Sequence, residues 1–545
     1  MNTTVPLSPA TPPNPATPPD PAATPATPIT RSQAPDDVPR SVLPVVMLAL
    51  FTVVAAVASL NVALPSIARD THASQTQLSW IIDGYALPFA ALLLLGGAAG
   101  DRYGRRRALL VGLTVFGAGS AAAMTVHDPR WLIAMRAVLG VGAALVMPAT
   151  LSTITATFPR EQRARAVGVW AGVAGAGAIV GVLTSGLLLE QWSWRAVFGL
   201  NVALTVIAVG AVLRVIPESA DPAAARLDFV GAALTVAGLL VAVYAVIEAP
   251  VEGWSSTRTV VGLAAGLIVL AGFAGWELRQ ANPMLDPRLF GNRGFALGAL
   301  SITCQFFAFF GFIFLILQYL QLVHRDSPLV AALSLVPMAL SIGASSRGLA
   351  PRLIGRLGAR VVCVAGLVLA AVGLLVLSRL GVTSGYGLVL AGLVPLGFGM
   401  GLAMTPATTA ITDALPAAKQ GVGSAMNDLS RELGGALGIA VLGSILQSTY
   451  RAHLHPAGLP APLAEHARSS LALASQLGPA VAHQAQAAFV DGMRTAFLCG
   501  AGVIGAAAVA VAVLLPSANV SRGCLASSRG RSVASRRRPP FRRRR

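Results

Sequence analysis

About fourteen stretches of this chain are apolar over enough residues to cross a lipid bilayer, and that repetition decides most of what it can become. A transmembrane helix needs ~20 mostly apolar residues to cover a hydrocarbon core ~30 Å thick. Only helices and closed barrels satisfy their backbone groups there. The runs are continuous rather than alternating, so helices are expected and a barrel is not. Charged residues make up 11% of the 545, and mean hydropathy is +0.70. A soluble domain carries roughly 25% charged residues. The fold class is therefore all-α integral membrane.

The hydropathy pattern places helices near 41–64, 78–97, 108–126, 131–153, 168–189, 196–216, 229–249, 259–278, 295–320, 328–346, 361–378, 386–410, 422–446 and 495–515. Residues 1–40, rich in Pro, Ala and Thr, cannot bury a core and read as a disordered tail. They lack the basic start and early apolar run of a signal peptide. Residues 447–494 read as an external loop with short surface helices, and 516–545 as a basic tail.

Net charge is +18, but ten arginines lie between Arg522 and Arg545 and the rest decorate short loops. No basic patch with interleaved aromatics appears, which argues against nucleic acid. Alternate loops carry seventeen and nine basic residues. By the positive-inside rule both termini lie in the cytoplasm, with an even span count, in the cell inner (plasma) membrane. The basic tail fits topology anchoring at the anionic leaflet, worth ~1 kcal/mol per nearby arginine. The four cysteines are isolated, so neither a disulfide framework nor a metal site follows. No Gly-x4-Gly-Lys phosphate loop is present, and no metal, nucleotide or other cofactor is implied.

Charges inside apolar runs are the candidate functional groups, because each costs at least ~2.5 kcal/mol on insertion scales unless paired or wet. Arg136 lies within the fourth span and Asp83 near one end of the second. In the thirteenth, Asp428, Arg431 and Glu432 stand at i, i+3 and i+4, on one helix face. The fifth span carries Gly172, Gly175, Gly177, Gly181 and Gly186, small residues that let helices approach closely. Phe306, Phe307, Phe309, Phe310, Phe312 and Phe314 crowd the ninth, where lipid contact is expected for most and a hydrophobic binding wall for some. The seven histidines are expected in loops.

The loop Gly97-Ala-Ala-Gly100-Asp101-Arg102-Tyr103-Gly104-Arg105-Arg106-Arg107 joins the second and third spans. Glycine belongs where two helix ends crowd, at Gly100 and Gly104. Asp101 suits a helix N-terminus. Arg102, Arg105 and Arg106 can pair with acids on adjacent helices, and such pairs can hold one conformation and release in another.

This string resembles the signature loop of the major facilitator superfamily. The likeness runs over nearly all of residues 41–515. Asn61-Val-Ala-Leu-Pro65, Trp80-Ile-Ile-Asp83-Gly-Tyr85-Ala-Leu87, Ser193-Trp194-Arg195 with Asn201, Tyr319-Leu-Gln321 and Gly421 to Gly434 resemble its fourteen-helix drug:proton antiporters. The resemblance implies a six-helix bundle at 41–216, a two-helix insertion at 217–280 and a second bundle at 281–515. It also implies a central cavity that opens alternately to each side. Arg136 then matches an arginine tied to proton movement, and Gly177, Gly181 and Gly186 an antiporter glycine motif. Arg356-Leu-Gly358-Ala-Arg360 is a degenerate second copy of the loop, with Gly355 at its acidic position. The chain departs from the family at Ala56, where relatives carry aspartate in the first span. It also departs at Leu139, in place of glutamine, and at Val182, in place of proline.

The expected function is proton-driven export of hydrophobic or cationic small molecules. Asp83 would bind substrate or proton, Arg136 would tune it, and the Gly97–Arg107 loop would lock the outward-facing state. The expected partners are small-molecule substrate, protons and the bilayer, with the protein acting as a monomer and not as an enzyme. Carriage of one specific metabolite, outward or inward, is the alternative within transport, and a non-transporting membrane sensor the alternative outside it. A membrane enzyme would need a buried cluster of His, Asp or Cys near an interface, which the sequence lacks.

Overall fold

A computed structural model describes residues 41–221, 227–281, 283–415, 420–456 and 458–515, without the side chains of Arg160, Ala164, Gln420 and Gly421. The expected N-terminal disorder, the basic tail, Arg226 and Lys419 lie outside these residues. Among the described residues there is no strand, and fourteen helices are long and apolar enough to span a membrane. They are α1 Val42–Thr71, α2 Gln75–Tyr103, α3 Arg105–Thr125, α4 Pro129–Thr157, α5 Arg160–Gln191, α6 Arg195–Val215, α7 Phe229–Glu252 and α8 Thr257–Glu277. Then follow α9 Arg293–Val323, α10 Pro328–Leu357, α11 Ala359–Leu377, α12 Tyr386–Asp413, α13 Gln420–His453 and α14 Pro479–Leu514.

Local signals start many of these helices. Ser74 accepts from the Gln77 amide while the Gln77 side chain accepts from the Ser74 amide, a reciprocal capping box that begins α2. Asp128 caps α4 ahead of Pro129, whose missing N–H costs nothing in the first turn. Asp228, Ser256, Asn292 and Ser327 cap α7, α8, α9 and α10 in the same manner.

The packing repeats. In the first half α1 lies on α5, α2 and α3 on α4, and α3 on α6. In the second half α9 lies on α13, α10 and α11 on α12, and α11 on α14. Adding eight to each helix number maps the first set onto the second, so α1–α6 and α9–α14 are related bundles. The seams between them are reciprocal: α2 meets α13, and α5 meets α10. Of the inserted helices, α7 packs along α2 and α13, and α8 packs on α7.

The two interhelix loops that resemble one another share their backbone. Gly104 links α2 to α3 with φ +116°, and Gly358 links α10 to α11 with φ +85°. Both conformations, with ψ of 129° and 155°, favour glycine because a Cβ would strain them.

Several expectations need correction. The segment 447–494 is mostly not a loop. α13 runs on to His453, short helices cover Ala461–Ser469 and Leu471–Ala474, and α14 begins at Pro479. Leu471, Ala472, Leu473 and Ala474 are buried rather than on the surface. Gln484, Gln486 and Arg494, good helix formers, dilute the hydropathy there without weakening helix formation. α1 does not end at 64 but continues through Pro65, whose missing N–H frees the Asn61 carbonyl, to Thr71. Phe306, Phe307, Phe312 and Phe314 are buried inside the second bundle rather than turned to lipid. His453, His466 and His483 lie on helices, not in loops.

Candidate functional site

Close backbone contact between α2 and α4 builds the centre of the first half. A Cβ on Gly140 would strike the Tyr85 carbonyl, and one on Gly96 the Ala144 carbonyl, so glycine permits both approaches. Arg136 lies in this interface, 1% exposed. Its Nε donates to the Ile81 carbonyl at 3.0 Å, and its guanidinium carbon stands 4.5 Å from the Tyr85 ring centroid. A charged hydrogen bond contributes ~1.5–3 kcal/mol and a desolvated cation–π contact ~2. Together these offset the insertion cost of the charge, but Nη2 remains without a partner. A buried donor without a partner is an exception that calls for an explanation. Arg136 does not snorkel to an interface.

The orphan groups share one space. Asn61 of α1, Ile82, Tyr85 and Ala86 of α2, Arg136 of α4, Phe310 of α9 and Glu432 of α13 line a cavity at the seam between the halves. The Asn61 Oδ1 and Tyr85 hydroxyl also lack partners. The cavity volume is about 10 Å³, room for one water-sized body. Sequence reasoning named Arg136 and Glu432, which the fold brings to the same cavity. It missed Tyr85 and Asn61 as site residues, although both lie in quoted motifs. Their signal is a polar side chain at a core position of an otherwise apolar span.

Asp83 is not joined to Arg136. It is wholly buried, and neither carboxylate oxygen has a hydrogen-bond partner. Its neighbours on the same face, Trp80 three residues before and Leu87 four after, pack against the apolar cluster formed with α7 and α13. Arg136 instead engages Ile81 and Tyr85. Asp428 and Arg431 form a loose pair at 3.9 Å, and the Arg431 guanidinium carbon lies 4.7 Å from the Phe306 ring centroid. That face of α13 is therefore self-neutralised, while Glu432 turns to the cavity.

The seams are tight at the end bearing the α1–α2 turn. Gln321 Nε2 donates to the Val62 carbonyl at 3.0 Å, from α9 to α1. The Leu329 amide donates to Glu190 Oε1 at 3.3 Å, from α10 to α5. A Cβ on Gly186 would stand 2.9 Å from the Leu329 Cα, so this glycine sits in the seam. Gly181 faces the Ala55 carbonyl at 2.5 Å by the same measure, and Gly177 makes ordinary contact with Phe51 and Val54. All three glycines serve packing, two on α1 and one across the halves. Towards the other end, Gly168, Gly172 and Gly175 of α5 and Gly343, Gly348 and Gly355 of α10 meet nothing within 4 Å.

The expected loop Gly97–Arg107 is helical except at Gly104, Gly97 to Tyr103 closing α2 and Arg105 to Arg107 opening α3, and this hinge lies at that looser end. Arg105 pairs with Asp101 at 2.8 Å, Arg106 donates to the Leu213 carbonyl at 2.7 Å, and Arg107 lies 3.5 Å from Glu218. The Arg105 amide donates to the Ser219 carbonyl and the Asp221 amide to the Asp101 carbonyl. A Cβ on Gly104 would strike Glu218. These contacts hold the loop, with Arg102 and Gly97 in it, against the segment after α6 of its own half. In the degenerate copy, Arg360 donates to the Ala512 carbonyl of α14, again within its own half. Among the described residues, no group of three or more His, Cys, Asp or Glu could hold a metal ion.

Comparison with known proteins agrees with this architecture. The family model described as Major Facilitator Superfamily matches residues 46–439. The multidrug resistance protein Stp of Mycobacterium tuberculosis is 35% identical over 432 residues, 78% of this chain and 80% of Stp. The methyl viologen resistance protein SmvA of Salmonella typhimurium is 35% identical over 461 residues, 84% and 92% of the two chains. The multidrug efflux pump LfrA of Mycolicibacterium smegmatis is 36% identical over 484 residues, 86% and 94%. Among solved structures, a bacterial homologue of the human lysosomal transporter Spinster superposes with TM-score 0.57 at 18% identity, covering 87% of this chain and 96% of that one. The transporter PepTSo gives TM-score 0.58 at 16% identity, covering 87% and 97%. These two establish likeness of fold.

Proposed function

The chain belongs to the major facilitator superfamily, and from that premise we propose that it is a proton-driven multidrug efflux antiporter, exporting hydrophobic or cationic small molecules across the cytoplasmic membrane. One observation carries the reading. Arg136, Tyr85, Asn61 and Glu432 face a single small cavity at the seam of two related bundles, with three unpartnered polar atoms on the first half and the Glu432 carboxyl group on the second. Ionisable groups that face one cavity from opposite sides of a seam change their separation whenever the halves rock, and in this reading protonation of Glu432 is linked to opening in that way.

Both termini are proposed to be cytoplasmic, so the tight α1–α2 end faces outside. The loop at Gly97, Asp101, Arg102, Gly104, Arg105 and Arg106 would then lock the outward-facing state by reaching the second half when the cytoplasmic ends close. Its contacts within its own half fit the opposite state, in which those ends stand apart. Glu432 is the proposed proton carrier at the seam, and Asp83, behind it, the proposed acid for substrate. The position that relatives fill with an acid in the first span is Ala56, 2% exposed and beside the Ala55–Gly181 contact. Coupling here therefore runs without an acid at that position of α1.

Inside-out membrane vesicles test the reading. Respiring vesicles containing the protein should accumulate ethidium, and a protonophore should discharge it. Accumulation indifferent to the protonophore would remove proton coupling from the account.

A further inference from the structure

The inserted helix α7 covers the α2–α13 seam, and at its α1–α2 end lies a second cavity of about 690 Å³, far larger than the central one. Its walls come from the starts of α2 and α4, the ends of α7 and α13, and the short helix Ala461–Ser469.

One wall is built for a particular chemistry. Glu248 of α7 accepts from Trp80 Nε1 at 3.2 Å, and Trp80 stacks tilted on Tyr244 with ring centroids 5.9 Å apart. Glu248 is half-buried and has no cationic partner among the described residues. The neighbouring acid Glu252 is already paired with Arg258 at 3.3 Å. At the rim, Arg451 and Glu465 neutralise each other at 2.8 Å. Arg130 stands exposed at the start of α4, so the cation-accepting side is the α7 side. A carboxylate beside a pair of packed aromatic rings suits a bulky organic cation, through charge and cation–π attraction.

We infer that Glu248, Trp80 and Tyr244 form a second binding site, for hydrophobic organic cations, on the insertion side of the α2–α13 seam. Ala86 and Ala436 belong both to the wall of the central cavity and to the apolar cluster that packs on α7. That cluster, against which Trp80 also packs, thus adjoins the central cavity, and Asp83 lies on the α2 face between Trp80 and Leu87. The place of this site on an exit route rests on the efflux reading; its ability to bind does not.

Photolabelling of the purified full chain tests it, with a phenyl azide bearing a quaternary ammonium as probe. Peptide mapping of the unaltered protein should find label on Tyr244 to Val251. Excess tetraphenylphosphonium should remove that label, and neutral triphenylphosphine oxide should not. Glu248→Gln should cut the labelling about tenfold, the scale of one lost charge-assisted contact, while Arg130→Gln leaves it equal or higher. Label confined to helices lining the central cavity would overturn the site, as would equal loss in both variants. Because the readout is binding in detergent, a protein that labels here but exports nothing refutes the efflux reading alone.

Discussion

The guanidinium carbon of Arg136 lies 4.5 Å from the centroid of the Tyr85 ring, and both side chains face the cavity that Glu432 enters from the other half. An arginine fixed on an aromatic face and one backbone carbonyl keeps an orphan N–H pointing at the seam. The ring holds the charge without neutralising it, which a carboxylate partner would do.

Separating the ring from the hydroxyl follows from that contact. Tyr85→Phe keeps the cation–π face and should retain most export. Tyr85→Leu removes ~1–2 kcal/mol of attraction and should slow export about tenfold. Ethidium efflux rates in cells, at matched membrane levels, measure both.

At Arg136 itself, Arg136→Leu should abolish export with the protein still inserted. Arg136→Lys should recover part of it, because lysine restores the charge but not the planar contact with Tyr85. Equal loss in both, with poor membrane levels, would mean a packing role only.

The paired loop glycines give a stability prediction. Gly104→Ala and Gly358→Ala should each cost ~1–3 kcal/mol, since both residues hold backbone conformations essentially confined to glycine. Gly104→Ala also displaces Glu218 from Arg107. Gly355→Ala, in a helical position with open space around it, should be neutral or stabilising by up to ~1 kcal/mol. Thermal unfolding in detergent orders the three.

Much of this was legible in the residues, and the failures have physical causes. Fourteen spans, the glycine-hinged loop and its second copy follow from hydropathy and from glycine's backbone freedom. The ends of α1, α13 and α14 do not, because helices continue past the hydrocarbon core into polar surroundings where hydropathy is silent. Composition points most of the α9 phenylalanines to lipid, because a helix packed on all sides by apolar neighbours has the same composition as one facing lipid. The expected tuning of Asp83 by Arg136 rests on the family resemblance, yet the two engage different surroundings of α2. Glu248 escaped notice because one acid near a helix end carries no sequence signal without Trp80 and Tyr244 across from it.

Gly186 and Gly443 hold matching places in the reciprocal seams, one against the start of α10 and the other against Ser79 near the start of α2. Gly186→Leu and Gly443→Leu should each keep the α1–α2 end from closing. Cysteines placed at Val62 and Gln321 should then lose their cross-linking, while the unaltered pair reports closure through the 3.0 Å contact between those residues.

The central claim is that Glu432 carries the proton whose movement drives export, and proton flux in liposomes containing only this protein measures it. Tetraphenylphosphonium added to one side should release protons to that side in the unaltered protein. Glu432→Gln should still exchange the cation down its own gradient with no accompanying proton. Proton release of equal size from the glutamine variant would contradict the account.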